Sequence, residues 1–168
     1  NPNNEKTYNN LGCLYEAMGD LYKAIKFYNM SIKLCPGYAE PRWNISLAYL
    51  ALGDYKKGWE NYNWRSFLED PINPHVIPKL ELYSKNSINS LTRLLVVSEQ
   101  GLGDTLQYMR YIPYLRSQGL DVSFCAQEKL HSLIQASGID QNPLKPEEAS
   151  KVSEGKWIPL LSLPRYLK

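Results

Sequence analysis

The sequence predicts an α + α/β protein in which helical hairpins precede a small parallel sheet. Residues 1–68 repeat themselves at a spacing of 34, and each copy has the apolar spacing of two short helices. Residues 69–90 form a proline-rich linker without a helical or strand period. Residues 91–168 alternate short apolar runs with helical segments, which is typical of chains that form parallel sheets.

Composition and charge exclude several classes of partner. The 168 residues carry 19 basic and 17 acidic side chains, a net charge of +2, so neither nucleic acid nor an anionic membrane is expected. No apolar run approaches the roughly 20 residues of a membrane span. Cys13, Cys35 and Cys125 lack CxxC spacing, which favours reduced thiols in the cytoplasm over disulfides or a metal site.

The internal repeat predicts two helical hairpins of similar build. The pairs aligned by the 34-residue shift are Asn10/Asn44, Leu11/Ile45, Tyr15/Tyr49, Gly19/Gly53, Asp20/Asp54 and Tyr28/Tyr62. Small residues at Gly12 and Ala24 would let the two helices of the first copy approach closely. Gly19 can end the first helix in the left-handed conformation, and Asp20 can then cap the second.

The first copy resembles the tetratricopeptide repeat (TPR). The matching positions are Tyr8, Leu11, Gly12, Tyr15, Ala24, Tyr28 and Pro36, with Tyr8 where the pattern usually has Trp. Pro2 lies 34 residues before Pro36 and indicates the end of a preceding repeat. Two repeats are fewer than a solenoid usually needs, so we expect the chain to be a fragment. The resemblance implies a protein or peptide as partner.

A groove formed by the repeats would have four polar candidates for contacts with a partner, namely Asn9, Asn10, Asn44 and Lys23. The alternative is that these side chains are solvated surface. We favour that alternative, because the sequence offers no sign of a ligand.

The last helix of the second copy is unusually aromatic. Trp59 and Tyr62 share one side, whereas Trp64 and Phe67 share another. Because the outer face of a terminal repeat should be polar, this pattern predicts burial on two sides. We expect these four residues to dock against the domain that follows. A thickly packed end cap is the alternative.

In the second part, strands are predicted at 94–97, 121–125, 139–144 and 157–160, with helices at 104–116 and 129–137 and a last helix opening at Ser162. Pro113 and Pro159 weaken the helix and strand that contain them. The first strand, its glycine turn and the following helix form half of a Rossmann-like βαβ unit. Residues 91–168 are therefore predicted to be a truncated Rossmann-like half-domain.

Chemistry is expected at the turn after the first strand, because ligands of such sheets lie beyond the carboxyl ends of the strands. The turn residues are Glu99, Gln100, Gly101, Gly103, Asp104 and Thr105. The turn lacks the third glycine and the ribose-binding acid of the dinucleotide fingerprint, which argues against NAD. It also lacks the Gly-Lys-Ser/Thr run of a Walker A loop, which argues against ATP. Two interpretations of Asp104 stay open. It is either a helix cap that accepts the amide of Leu106 or Gln107, or a general base.

The motifs together resemble bacterial TPR proteins with a glycosyltransferase-like domain. The matching stretches are Gly58-Trp59-x-x-Tyr62-x-Trp64-Arg65, the proline-rich linker, Glu99-Gln100-Gly101-Leu102-Gly103-Asp104-Thr105 and Leu161-Ser162-Leu163-Pro164. The second part is similar to the heptosyltransferase family (glycosyltransferase family 9) and, more distantly, to TPR-bearing protein O-GlcNAc transferases.

That resemblance implies a GT-B fold, in which one Rossmann-like half binds mainly the acceptor and the other mainly a nucleotide sugar. It implies that Asp104 is the general base. Glu99, in the same turn, is our runner-up for that role if Asp104 proves to be only a helix cap. The chain would then be the acceptor side, with no cofactor of its own and no activity alone. The competing class is a non-enzymatic TPR scaffold with a degenerate α/β domain.

Overall fold

A computed structural model describes residues 4–83 and 93–167. The chain divides into two compact units, Asn1–Ile72 and Asn73–Lys168. The predicted repeat end at Pro2 and the part of the predicted linker at 84–90 lie outside the described residues, as do residues 91, 92 and 168.

The first unit consists of two antiparallel helical hairpins. Its helices are α1 (Glu5–Ala17), α2 (Leu21–Leu34), α3 (Ala39–Ala51) and α4 (Tyr55–Tyr62), followed by a 3-10 turn (Asn63–Phe67). Gly19 and Gly53 both have φ of +79° at the ends of α1 and α3. Asp20 and Asp54 then cap α2 and α4 by accepting the backbone N–H of the third residue of each helix. The predicted hairpin chemistry is confirmed in both copies.

Close helix packing in the first hairpin depends on Gly12 and Tyr28. The Tyr28 ring is fully buried and lies directly over the Gly12 backbone, where a Cβ would come within 2.3 Å of the ring. The Tyr28 hydroxyl donates to Glu16 Oε2 at 2.5 Å. Burial raises the pKa of Tyr28, so this hydroxyl stays protonated and remains a donor.

One buried position differs between the two repeats in both size and charge. Ser31 in the first donates from its hydroxyl to the Glu5 carbonyl at 2.7 Å. The equivalent residue in the second is Arg65, whose side chain is 1% exposed. Its guanidinium donates to the Tyr62 carbonyl at 3.2 Å and to Asn63 Oδ1 at 3.1 Å. In the second repeat, where this large cation replaces a small hydroxyl, α4 ends at Tyr62 and the chain continues as a 3-10 turn that contains Arg65.

The second unit contains a four-stranded sheet whose strands are all parallel. Its elements are β1 (Glu81–Leu82), β2 (Arg93–Val97), α5 (Leu102–Tyr108), α6 (Tyr111–Ser117), β3 (Asp121–Cys125), a 3-10 turn (Glu128–Leu130), α7 (His131–Ala136), α8 (Pro146–Ala149), β4 (Lys156–Pro159) and a final 3-10 turn (Leu160–Arg165). The strand order is β1-β4-β2-β3. Helices followed by a small parallel sheet agree with the predicted α + α/β class.

β2 lies at the centre of this unit because it pairs on both edges. Leu95 lies opposite Ser123 of β3 and Trp157 of β4. The side chains of residues 94–97 are at most 1% exposed, as a continuous apolar strand between two neighbours predicts. One core cluster joins Leu95, Val97, Cys125, Ala149 and Trp157.

Several predicted elements differ from the structure. The helix predicted at 104–116 is two helices, and Pro113 stands in the first turn of the second, where its missing N–H costs no helical bond. The strand predicted at 139–144 is wrong. Only Leu144 pairs with β3, through a single bridge, because Asp140 turns inward to an ion pair with Arg116 at 2.7 Å. The last predicted helix is a 3-10 turn that begins at Leu160.

Part of the predicted linker belongs to the second unit. Residues 73–83 contain the edge strand β1, which pairs with β4, and Pro74 forms a bridge to Glu99. Prolines suit such edge positions because they cannot donate to a neighbouring strand. Residues 145–154, which have little sequence pattern, contain α8, and this short helix places Ala149 in the core.

The three cysteines are free and differ sharply in exposure. Burial raises the pKa of the Cys125 thiol to about 12, because the thiolate would lose its solvation, whereas Cys13 is exposed. We expect iodoacetamide at pH 8 to alkylate Cys13 in the native chain and to leave Cys125 intact until urea unfolds the second unit. Mass spectrometry of the labelled peptides measures this, with Cys125→Ser as the control. Equal native labelling of both thiols would contradict the packing of β3.

Candidate functional site

The segment after β2 is buried at its start and exposed at its end. Ser98 and Glu99 are both 0% exposed. Gln100 then adopts a left-handed conformation with φ of +61°, and Gly101 precedes the first residue of α5. This change of direction brings the chain out at the carboxyl end of β2, which is where a ligand of a parallel sheet is expected.

Asp104 is the third residue of α5, because this helix begins two residues earlier than predicted. Its Oδ2 accepts the backbone N–H of Gly101 at 3.1 Å. The carboxylate therefore reaches back over the helix start and does not bind the amides of Leu106 or Gln107. The side chain is partly exposed. Holding the helix start and offering a base are consequently compatible roles, since a carboxylate has a second oxygen.

Glu99 has a structural contact at the point where the strand order reverses. Its Oε1 accepts the backbone N–H of Leu161 at 3.0 Å. Glu99 follows β2 and Leu161 follows β4, and these neighbouring strands are the pair between which ligands of doubly wound sheets bind. The carboxylate that the sequence ranks second as a base thus joins the ends of two strands.

Gln127 is a member of this site that sequence reasoning missed. The Thr105 hydroxyl donates to Gln127 Oε1 at 2.8 Å. Gln127 Nε2 in turn donates to the Gln100 and Gly101 carbonyls at 3.3 and 3.4 Å. Gln127 lies two residues after β3, so its place beyond a second carboxyl strand end is the signal that could have identified it.

A pocket of about 520 Å³ lies at this edge of the sheet, lined by Leu102, Gln127, Glu128 and Lys129. That volume is within the range of small-molecule sites. Glu128 binds Lys145 at 2.6 Å, and this hydrogen bond holds the pKa of the Glu128 carboxyl below its ordinary value. Of the lining side chains, Gln127 and Glu128 are therefore engaged in contacts within the protein, whereas Leu102 presents an apolar surface.

The described part of the chain has no group of three or more His, Cys, Asp or Glu side chains that could hold a metal ion. None of its helices combines the length and apolarity that crossing a bilayer requires.

The four predicted groove residues of the first unit do not form one cluster. Asn44 on α3 donates to Asn9 Oδ1 on α1 at 3.2 Å, and Asn9 is only 7% exposed. The same Asn44 nitrogen lies 3.5 Å from Cys13 Sγ. Asn10 is exposed, and Lys23 on α2 forms an ion pair with Asp20. The structure therefore joins Asn9 and Asn44 across the repeats and leaves Asn10 and Lys23 apart from them.

The predicted docking aromatics have contacts within the first unit. Tyr62 has ring contacts with Trp43 and Trp59, each at 4.8 Å between centroids. The Arg42 guanidinium lies 4.6 Å from the centre of the Trp64 ring, which also contacts Phe67. Phe67 is 71% exposed. Docking of these four residues against the second unit stays a prediction.

The first unit has the build of a helical-repeat protein, with two similar hairpins and small or glycine residues where helices cross. Comparison with family models identifies residues 5–38 as a tetratricopeptide repeat. No curated protein matches the chain. Repeats of this kind present concave surfaces that bind proteins or peptides, so the chain contains a protein-interaction module.

Proposed function

We propose that the chain combines a protein-binding repeat unit with the acceptor side of a sugar-transfer enzyme of the GT-B type. The observation that carries the proposal is Asp104, a partly exposed carboxylate held by the Gly101 N–H at 3.1 Å at the carboxyl end of β2. The Gly101-x-Gly103-Asp104 turn that resembles the heptosyltransferases supports it. The donor would be a nucleotide sugar bound mainly by the other half of such an enzyme.

The proposed chemistry uses Asp104 as a general base. An acceptor hydroxyl attacks the anomeric carbon of the donor, a new C–O bond forms, and the bond to the nucleoside diphosphate breaks. The hydroxyl proton passes to the Asp104 carboxylate. Oδ2 already accepts the Gly101 N–H, so Oδ1 is the oxygen that we assign to the proton. The repeats would present a protein acceptor or bind a partner, with the accessible side chains of Asn10, Asn44 and Lys23 as candidate contacts, whereas Asn9 is buried and supports Asn44.

The proposed setting is the cytoplasm of a bacterium. Free thiols at Cys13, Cys35 and Cys125 support a reducing compartment. The bacterial origin rests on the resemblance carried by the repeats, the aromatic stretch at 58–65, the proline-rich linker and residues 99–105 and 161–164.

Asp104→Asn in the enzyme that contains both halves tests the base. We expect the transfer rate from UDP-, GDP- or ADP-sugars to fall by about 10²–10⁴ because asparagine cannot take the proton. The melting temperature should hardly change, because the Asn oxygen can still accept the Gly101 N–H. Asp121→Asn is the matched control, since Asp121 is an exposed residue of β3 paired with Arg93. A near-wild-type rate for Asp104→Asn removes Asp104 from the chemistry and makes Glu99 the residue to test.

A non-enzymatic scaffold is the second candidate function. The observation that favours it is that polar side chains at the turn are hydrogen-bonded to other parts of the protein. Glu99 binds the Leu161 amide, and Gln127 binds Thr105 and two turn carbonyls, so much of the site is used in holding itself together. A scaffold predicts partner binding by the repeats with no transfer from any nucleotide sugar, which the assay of the wild-type enzyme decides.

A further inference from the structure

Gln100 carries two structural costs at once. It is the one non-glycine residue with a positive φ in the described part of the chain, at +61°. Its side-chain Nε2 is sealed from solvent without a hydrogen-bond partner among the described residues. A left-handed glutamine is strained, and a buried donor without an acceptor loses the hydrogen bonds that it had in water.

Glycine would remove both costs at this position. Glycine adopts positive φ freely and has no amide to bury. The chain already uses glycine at residues 101 and 103 of the same turn. Strain and unpaired buried donors concentrate at functional sites, where the residue serves a ligand at the expense of stability. The two costs coincide at the carboxyl end of β2, beside the buried Glu99.

We propose that the Gln100 side-chain amide is a binding donor for an oxygen atom of the acceptor, either a hydroxyl or a carbonyl oxygen. This inference rests on the proposed function and specifies how its site recognises a substrate. The Gln100 carbonyl is tied to Gln127 at 3.3 Å, which holds the backbone of the residue in place. The side chain is only partly buried, and its terminal torsion is soft, so a rotation delivers the amide N–H to a ligand oxygen.

The stability of two variants measures the two costs separately. Gln100→Ala removes the amide and keeps the positive φ, whereas Gln100→Gly removes both. We expect the melting temperature of the second unit to rise from wild type to Gln100→Ala to Gln100→Gly, with the glycine variant about 4–8 °C above wild type. Gln118→Ala, an exposed glutamine at the end of α6, is the control and should shift the value little. A Gln100→Gly variant that melts at or below the wild-type temperature overturns the inference.

The transfer assay on the enzyme with both halves measures what the amide does. We expect Gln100→Gly and Gln100→Ala to lower kcat/KM about 10-fold, mainly through a higher KM for the acceptor, as the loss of one hydrogen bond requires. If the wild type is active and the Gln100→Gly variant is stabilised but keeps the full kcat/KM, the binding role of Gln100 is overturned while the proposed function stands. A wild type that transfers sugar from none of the three nucleotide sugars overturns the proposed function, and the assignment of the amide with it.

Discussion

Gly12→Ala should destabilise the first unit by about 3 kcal/mol, in the upper part of the range for overpacked cores. A Cβ at residue 12 would lie 2.3, 2.4 and 2.9 Å from three atoms of the Tyr28 ring. The ring cannot retreat cheaply, because it is fully buried and its hydroxyl is bound to Glu16. In an open helical position the same substitution would stabilise by about 0.5–1 kcal/mol, so even the sign of the effect tests the packing.

Urea unfolding followed by tryptophan fluorescence measures this change, since Trp43, Trp59 and Trp64 all lie in the first unit. Gly37→Ala is the matched control, because a Cβ there would have no atom within 4 Å and φ is ordinary. The double variant Gly12→Ala with Tyr28→Leu should recover part of the loss, since a smaller side chain leaves room for the new methyl group. Equal stabilities of Gly12→Ala and Gly37→Ala would contradict the close approach of α1 and α2.

Gly155→Ala should destabilise the second unit by more than about 3 kcal/mol, because a conformational cost adds to a clash with backbone. Gly155 has φ of +100°, and its Cβ would lie 2.3 Å from the Arg93 carbonyl oxygen. That carbonyl belongs to the first residue of β2, and Lys156 directly after Gly155 pairs with Leu94. Relief of the clash therefore requires the central strand pair to separate at its start.

Gly138→Ala separates the two parts of this cost. Gly138 also has a positive φ, at +73°, but a Cβ there would meet no atom within 4 Å. It should lose only the conformational part, about 1–2 kcal/mol. Alkylation of Cys125 during urea unfolding reports the second unit specifically, because this thiol is buried in its core. Similar losses for the two glycine variants would argue against the close contact between Gly155 and β2.

Features set by neighbouring residues could be predicted from the sequence. The left-handed glycines and their Asp20 and Asp54 caps follow from a Gly-Asp pair before a helical pattern. β2 and β3 follow from apolar runs bounded by turns. At the site, the turn after β2 and a carboxylate at the start of the next helix were predicted, although the helix begins earlier and Asp104 binds a different amide.

Features that depend on distant residues could not be predicted. The Glu99 bond to Leu161 spans 62 positions, and the Thr105 bond to Gln127 spans 22. Nothing local in either residue indicates its partner. β1 has only two residues and is defined by its pairing with β4 rather than by its own pattern. The burial of Arg65 could not be predicted either, because arginine side chains usually lie at the surface.

The strand order determines the sequence in which the two units can fold while the chain is being synthesised. β2 is made before both of its neighbours, since β3 begins at Asp121 and β4 at Lys156. β1 has its partner 75 residues later in the chain, at the Glu81–Lys156 pair. The repeat hairpins, in contrast, close between adjacent helices and need no later segment. As the nascent chain leaves the ribosome, the repeats can therefore fold first. β2, the most apolar strand, meanwhile has one edge covered once β3 emerges, and its other edge stays open until β4 follows at Lys156–Pro159, which is the interval in which a chaperone would protect it.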